Sequence, residues 1–534
     1  MSAPPLDQSS PPPLETGEDR GLKRELGFWS LTFIAFGGMI GSGWLFGAYY
    51  AAQSAGPAAL LSWPLAGGAL MLVGLVLVQL GATRPRAGGM VRWPKEASGP
   101  VVGTVVSWGI LLAVSSALAA EASAIVQYAE RYLPGLSEQG SLTDRGTLAA
   151  VALLAVLVLG NWFGVRLFAR INALITVLKF GVPLLTIVAL LASGFEPGNI
   201  ERGGGWAPYG WSAALGVIAT AGIIYAMNGF AAPVELSAEA RNARRDLPRA
   251  VITAIAMAVV LYTVLQAVFL LTVPADRLAG GWHGLNFDSP YGQLAILLNL
   301  GWLATIIYAD AVLSPAGAAS VFVASGARET YATARNGLLP RQVAVVHRGS
   351  GVPRRAMCVN FVVSVMFLAP FRGWQDIITV VGVLSLLTYS TCAVAAGVFR
   401  ETDRSVRPVV SRLGLIAPAS FVVSTELIHW AGWHHLRVAL PLVALGVVLH
   451  VVLRRRDPDL PGQLRGAAWL VAYLLILFVV SWAGAFGGTG MIPAPWDSVL
   501  VAGAGLAVYV RAVHSGVANA KGRPEETGDA AGKG

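Results

Sequence analysis

The chain has 534 residues, of which 55% are hydrophobic and only 13% charged. Soluble domains carry about 25% charged residues, so composition excludes a water-soluble enzyme or binding module and indicates an integral membrane protein. The formal net charge of +9 would suit a nucleic-acid partner, but the basic residues cluster in the connections between apolar runs, so nucleic acid is not implied.

Apolar runs of about 20 residues, the length of a membrane-crossing helix, recur along the whole chain. Fourteen spans are expected, at 28–50, 58–82, 101–129, 146–163, 172–194, 211–236, 250–273, 291–326, 355–371, 374–398, 409–427, 434–453, 466–486 and 496–512. If the N-terminus is inside, the inner connections and tails, with the span ends beside them, hold 31 of the 38 Lys and Arg. The outer loops hold Arg131, Arg145, Arg202, Arg277, Arg372 and Arg437. The positive-inside rule then places both termini in the cytoplasm, as in a multi-pass plasma-membrane protein. No apolar signal segment stands in residues 1–20, and residues 1–24 and 514–534 have the composition of disordered tails. Cys358 and Cys392 both fall in spans, so no disulfide framework is expected.

The first span contains "GGMIGSGWLFG", residues 37–47, in which five of eleven residues are glycine. Glycine costs a helix interior about 0.5–1 kcal/mol relative to alanine, so such a run predicts a break. The sixth span is interrupted in the same way at "YAMNGFAAP" (225–233), by Asn228, Gly229 and Pro233. Small residues also serve helix packing, but two broken spans five helices apart point to a binding site. Unwound backbone in a membrane is tolerated only where protein or a cavity surrounds it. There it offers free amides with the positive end of a helix dipole to a carboxylate, and free carbonyls to an ammonium group. A small zwitterion needs both.

These segments resemble the amino acid–polyamine–organocation (APC) superfamily. The first-span motif, "TRPRAGGMVRWPKEASGP" (83–100), "NWFGVRLFARINALITVLKFGVPLL" (161–185), "GFAAPVELSAEARNARRDLPRAV" (229–251) and "ARETYATARNGLLP" (327–340) carry the likeness, over roughly residues 25–455. "EASAIVQY" (121–128), "GWLATIIYADAVLSP" (301–315) and two extra C-terminal spans are similar to the fourteen-span bacterial aspartate–proton symporters of that superfamily. The resemblance implies an all-α integral membrane fold of inverted five-helix repeats, residues 25–200 and 201–400, with four peripheral C-terminal helices over 401–513. It also implies a substrate site in which Ser42 and Gly43, with Ile40 and Gly41 beside them, bind the carboxylate. The carbonyls of Met39, Tyr225 and Asn228 would receive the amine, and Gly229 would keep the sixth helix open. One departure is Ala231, where relatives often carry an acid to which a proton role is assigned; that role does not transfer.

Lys179 alone among basic residues lies deep within a span. Ionisable groups in a membrane are costly and are functional candidates by default. The resemblance implies that Lys179 carries or senses a coupling proton; a permanently charged structural bridge between helices is the alternative. Glu121 and Asp310 are further proton-coupling candidates, though each could instead pair with Lys179 or a tyrosine. Two ionised carboxylates would repel an acidic substrate, so at least one should be neutral or distant. Trp44, Trp108 and Ser314 are candidates for gating or for supporting the site, although tryptophan in a span more often packs or anchors. His429, His434 and His435 share one outer loop without acidic or Cys ligands at metal spacing.

Neither a phosphate-binding P-loop nor an H-E-x-x-H or G-x-S-x-G motif is present. The expectation is therefore a secondary transporter rather than an enzyme: a symporter using protons as coupling ion, with no cofactor or metal, importing L-aspartate or another acidic amino acid. Symport or exchange of neutral or cationic amino acids on the same fold, and an amino acid receptor without transport, are the alternatives. Besides the amino acid, the partner expected is the lipid bilayer; the oligomeric state is open.

Overall fold

The computed structural model describes residues 25–85, 88–162, 166–335, 338–347 and 352–521. The chain starts with α1 (Phe28–Met39) and α2 (Gly43–Ala55), and a short 3₁₀ turn leads from α2 into α3 (Ala59–Thr83). α4 (Gly89–Ser98) and α5 (Pro100–Ala129) precede a two-residue hairpin, β1 (Ser137–Glu138) with β2 (Ser141–Leu142). Next come α6 (Asp144–Trp162), α7 (Arg166–Ser193) and the single turn α8 (Asn199–Arg202). A second broken segment follows as α9 (Trp211–Thr220), α10 (Ile223–Met227) and α11 (Ala232–Glu235). Beyond it lie α12 (Ala243–Thr272), α13 (Pro290–Leu297), α14 (Gly301–Arg335), α15 (Arg354–Leu368), α16 (Trp374–Thr402), α17 (Leu413–His429) and α18 (Trp433–Leu453). The bent pair α19 (Leu460–Gly466) and α20 (Ala468–Ala483) precedes the last helix, α21 (Trp496–Lys521).

The protein is thus all-α and largely membrane-embedded, but the expected count of fourteen spans is not met. Among the described residues eight helices are long and apolar enough to cross a membrane, or up to 10 when each bent pair is one span. Four expected spans account for the difference. The first is cut after Met39, and its second half runs on towards α3 as one 41-residue unit, Gly43–Thr83. Of the fifth, within α7, the apolar stretch Leu178–Ser193 alone enters this count; the eleventh and ninth correspond to short apolar helices, Leu413–His429 and α15, of 15 residues. At 1.5 Å per residue, helices of 15–17 residues fall short of a hydrocarbon core about 30 Å thick. The scheme of two five-helix repeats plus four peripheral helices does not stand in that form. At the C-terminus α21 stays helical to Lys521, into the expected tail; residues 1–24 and 522–534 lie outside the described ones.

Burial sorts the helices. All of the apolar window of α16 is buried and 78% of that of α5, against 28% for α6 and 33% for α18 and α21. α5 packs on α14 and α16, while α12 packs on α1 and α3. The outer helices turn large apolar side chains outward, Leu148 and Val156 of α6 among them, as a lipid-facing surface does.

Both breaks lie in this interior. α1 ends where Ile40 turns extended (φ −98°, ψ 94°), and α2 starts at Gly43 with no side-chain cap on its first amides. α9 ends where Gly222 takes φ +82°, a left-handed conformation that favours glycine. The chain bends there by 56°. This break lies upstream of the one expected at Asn228 and Gly229, where the helix only tightens into a 3₁₀ turn, Asn228–Ala231.

Candidate functional site

The two broken segments cross at contact distance. A Cβ on Gly229 would lie 2.2 Å from the carbonyl carbon of Gly38, and one on Gly43 would lie 2.6 Å from Cβ of Ala226. Glycine at these positions is therefore a packing requirement, which lets two backbones meet where side chains would separate them.

Beside the crossing is a cavity of about 470 Å³, within the size range of small-molecule sites. Met39, Gly41, Gly43, Glu121, Lys179, Tyr225, Asn228 and Gly229 line it. It extends along α1 towards Ser30 and Phe33, and reaches Glu235 of α11 and Glu329 of α14. On the other side of the first break stands a packed aromatic group: Phe46 stacks on Trp374 at 4.9 Å, Tyr50 on the same ring at 5.9 Å, and Trp44 lies 5.6 Å from Tyr291. All five rings are buried.

Ser42 and Glu121 make the central contact. The Ser42 amide donates to Glu121 Oε2 at 3.2 Å, and the Tyr225 hydroxyl donates to Oε1 at 2.6 Å. A Cβ on Gly41 would stand 2.7 Å from the same Oε1, so the bare backbone at Gly41 makes room for the carboxylate. The Ser42 hydroxyl accepts from Trp374 Nε1 at 2.9 Å. An amide freed by the helix break thus carries a carboxyl group from α5. The amide expected to meet a substrate carboxylate is therefore occupied by the protein's own side chain.

Two of the three carbonyls expected to accept the amine are already engaged. Met39 O accepts from the Tyr262 hydroxyl at 2.6 Å, and Tyr225 O accepts from the Asn228 amide. The Asn228 side chain donates to Ser385 Oγ at 3.1 Å and accepts from the Tyr389 hydroxyl. Ile40 is fully buried in the break.

Lys179 is 6% exposed and lines the cavity. It lies within electrostatic reach of Glu121 and Asp310, yet among the described residues no ion pair within 4.0 Å holds it. Asp310 accepts from Trp44 Nε1 at 3.2 Å and from Ser314 Oγ at 2.9 Å. That brings three expected residues together off the cavity. Trp108 is elsewhere: its Nε1 donates to Leu442 O of α18 at 2.7 Å, so it supports helix packing rather than the site. His429 pairs with Asp497 at 3.3 Å in a fully buried contact, and among the described residues no group of three side chains is arranged to hold a metal.

Several site residues escaped the sequence reading. Ser385, Thr388 and Tyr389 follow helical i, i+3, i+4 spacing on α16 and face the cavity, a signal present in the sequence but common in buried helices. Trp374, Tyr262, Glu235 and Glu329 gave no local signal, because only the tertiary fold brings them to the break.

The chain is similar in sequence to known proteins. The family model described as amino acid permease matches residues 26–509. The chain is 37% identical to the glutamate/serine transporter AimA of Bacillus subtilis over 508 residues, 93% of this chain and 94% of that one. It is 33% identical to an aspartate–proton symporter of the same organism over 509 residues, 93% and 98% of the two chains. Against the branched-chain amino acid permease BcaP, also from that organism, identity is 24% over 461 residues, 83% and 96% of the chains. The likeness to aspartate–proton symporters is therefore one of several within the superfamily. The chain belongs to the amino acid permease family of the APC superfamily, and is a multi-pass membrane transporter of that type, not an enzyme.

Proposed function

We propose that this permease is a proton-coupled symporter that works by alternating access and imports an acidic amino acid, L-aspartate or L-glutamate. The observation that carries the reading is Lys179, a buried cation on the wall of a cavity between two helix breaks. The amides at the first break, that of Ser42 held by Glu121 among them, suit the α-carboxylate, and Gly41, Ser42 and Gly43 form that part of the site. Asn228 and the nearby carbonyls suit the amine. Lys179 carries or senses the proton, with Glu121 and Asp310 in its field. The printed functions of the two relatives above 30% identity, glutamate/serine and aspartate–proton transport, support an acidic substrate. In the cell, both termini face the cytoplasm, and the cavity opens on that side.

Serine in the function of one relative favours a second reading, in which the same site takes small neutral amino acids. Counterflow of labelled L-aspartate in proteoliposomes distinguishes the two. Unlabelled L-aspartate and L-glutamate should compete while L-serine and L-lysine do not; competition by L-serine alone would replace the acidic substrate with a neutral one.

A further inference from the structure

We propose that Glu121 is an internal ligand of the first helix break, and that the substrate carboxylate takes its place there while the displaced Glu121 takes up a proton. The inference rests on the amino acid transport reading above. Its basis is the completeness of the seat. Glu121 is 1% exposed and receives the Ser42 amide and the Tyr225 hydroxyl, one on each oxygen, with Gly41 bare beside it. A substrate α-carboxylate is chemically the same group, and one N–H cannot fully serve two carboxylates. Gly41, Gly43 and Glu121 all border the cavity, so a ligand arriving there meets the amide with Glu121 already on it.

Charge balance gives the fate of the displaced group. Lys179 is the cation facing Glu121 from α7; Tyr225 faces it from α10 and Tyr262 from α12, with Asp310 of α14 sharing the field of Lys179. Glu235 and Glu329 line the same cavity further along. Among the described residues a single ammonium therefore stands among several carboxyl groups. An acidic amino acid brings two more carboxylates and one ammonium, and a carboxylate that has lost its donors in a buried site is costly unless neutralised. A proton from water in the cavity adds to one Glu121 oxygen and leaves it neutral, and departure of the substrate reverses the step. The exchange links occupancy of the seat to proton uptake without a second binding site.

The test is calorimetric titration of the full-length protein in detergent with L-aspartate, L-glutamate and L-serine, in two buffers of different ionisation enthalpy. The wild type should take up about one proton per substrate bound, as expected for one carboxyl changing state. Glu121→Gln keeps the shape of the side chain and should bind with no proton uptake. Tyr225→Phe removes a donor that Glu121 and the substrate carboxylate use in turn, so substrate affinity should stay within about twofold of the wild type, with proton uptake kept. Equal uptake by wild type and Glu121→Gln would make Glu121 a fixed cap and overturn the proposal, as would proton uptake lost in Tyr225→Phe while substrate still binds. If the wild type binds none of the three, the transport reading falls and takes the exchange with it.

Discussion

At the level of single residues, Gly229 shows how little slack the crossing allows. Alanine there would put a Cβ 2.2 Å from the Gly38 carbonyl carbon, and the contact is to backbone, so relief requires a shift of the helix. Overpacking a tight core costs about 1–3 kcal/mol. Gly229→Ala should lower the melting temperature by several degrees and abolish uptake, measured on the purified protein and in proteoliposomes; a variant with native melting and native uptake would mean that the two breaks are not in contact. Lys179 yields a prediction of the opposite kind. Its ammonium makes no ion pair within 4.0 Å among the described residues, so Lys179→Ala should leave the fold intact. It should abolish accumulation driven by a proton gradient, and unchanged gradient-driven uptake would remove Lys179 from coupling. Residue type alone drew attention to the glycine run around Ser42 and to Glu121 and Lys179, because glycine runs and buried charges are rare in spans. That Glu121 sits on the Ser42 amide was not legible, since 79 positions separate them.

Among the elements, the two broken segments were readable from glycine content, but the position of the second break was not. Asn228, Gly229 and Pro233 looked like the stronger interruption. The left-handed turn falls instead at Gly222, because Asn228–Ala231 stays wound as 3₁₀ helix and its side-chain bonds go to Ser385 and Tyr389. The count of spans erred for a related reason. Apolar runs mark what is buried, whereas α15 and α17 are apolar but short.

A loop outside the membrane also has testable chemistry. After α5, the Glu130 carboxylate accepts from the amides of Gly135, Leu136 and Ser137 at 2.6–2.8 Å. Burial is the largest single influence and opposes ionisation, but the three donors together outweigh it and hold the Glu130 pKa below its ordinary value. A lowered folded pKa means that this contribution is complete above the ordinary glutamate value of about 4.3. It is lost as pH falls through the lower folded value. Amide exchange of Gly135–Ser137, corrected for intrinsic rates, should show protection that weakens below that pH in the wild type. In Glu130→Gln it should be weaker and nearly independent of pH; identical profiles would remove Glu130 as the clasp.

For the molecule as a whole, the cavity extends from the breaks along α1, and buried aromatic rings close the other side. Access along α1 with packed rings, Trp374 and Tyr50 among them, beyond the break is what the proposed alternating access would require of one of its states. The all-α membrane class was legible from composition, since 13% charged residues leave too few to solvate a soluble surface. Substrate choice was not legible, because a backbone seat of the proposed kind would recognise what all amino acids share, and among the described residues Lys179 is the one Lys or Arg lining the cavity. The most direct test of proton-coupled acidic amino acid import is uptake of labelled L-aspartate into proteoliposomes, with and without an inward proton gradient. The account predicts accumulation above the external concentration only when the gradient is imposed, and its loss on adding a protonophore. Equal accumulation without a gradient, or none with it while L-aspartate still binds, would contradict it.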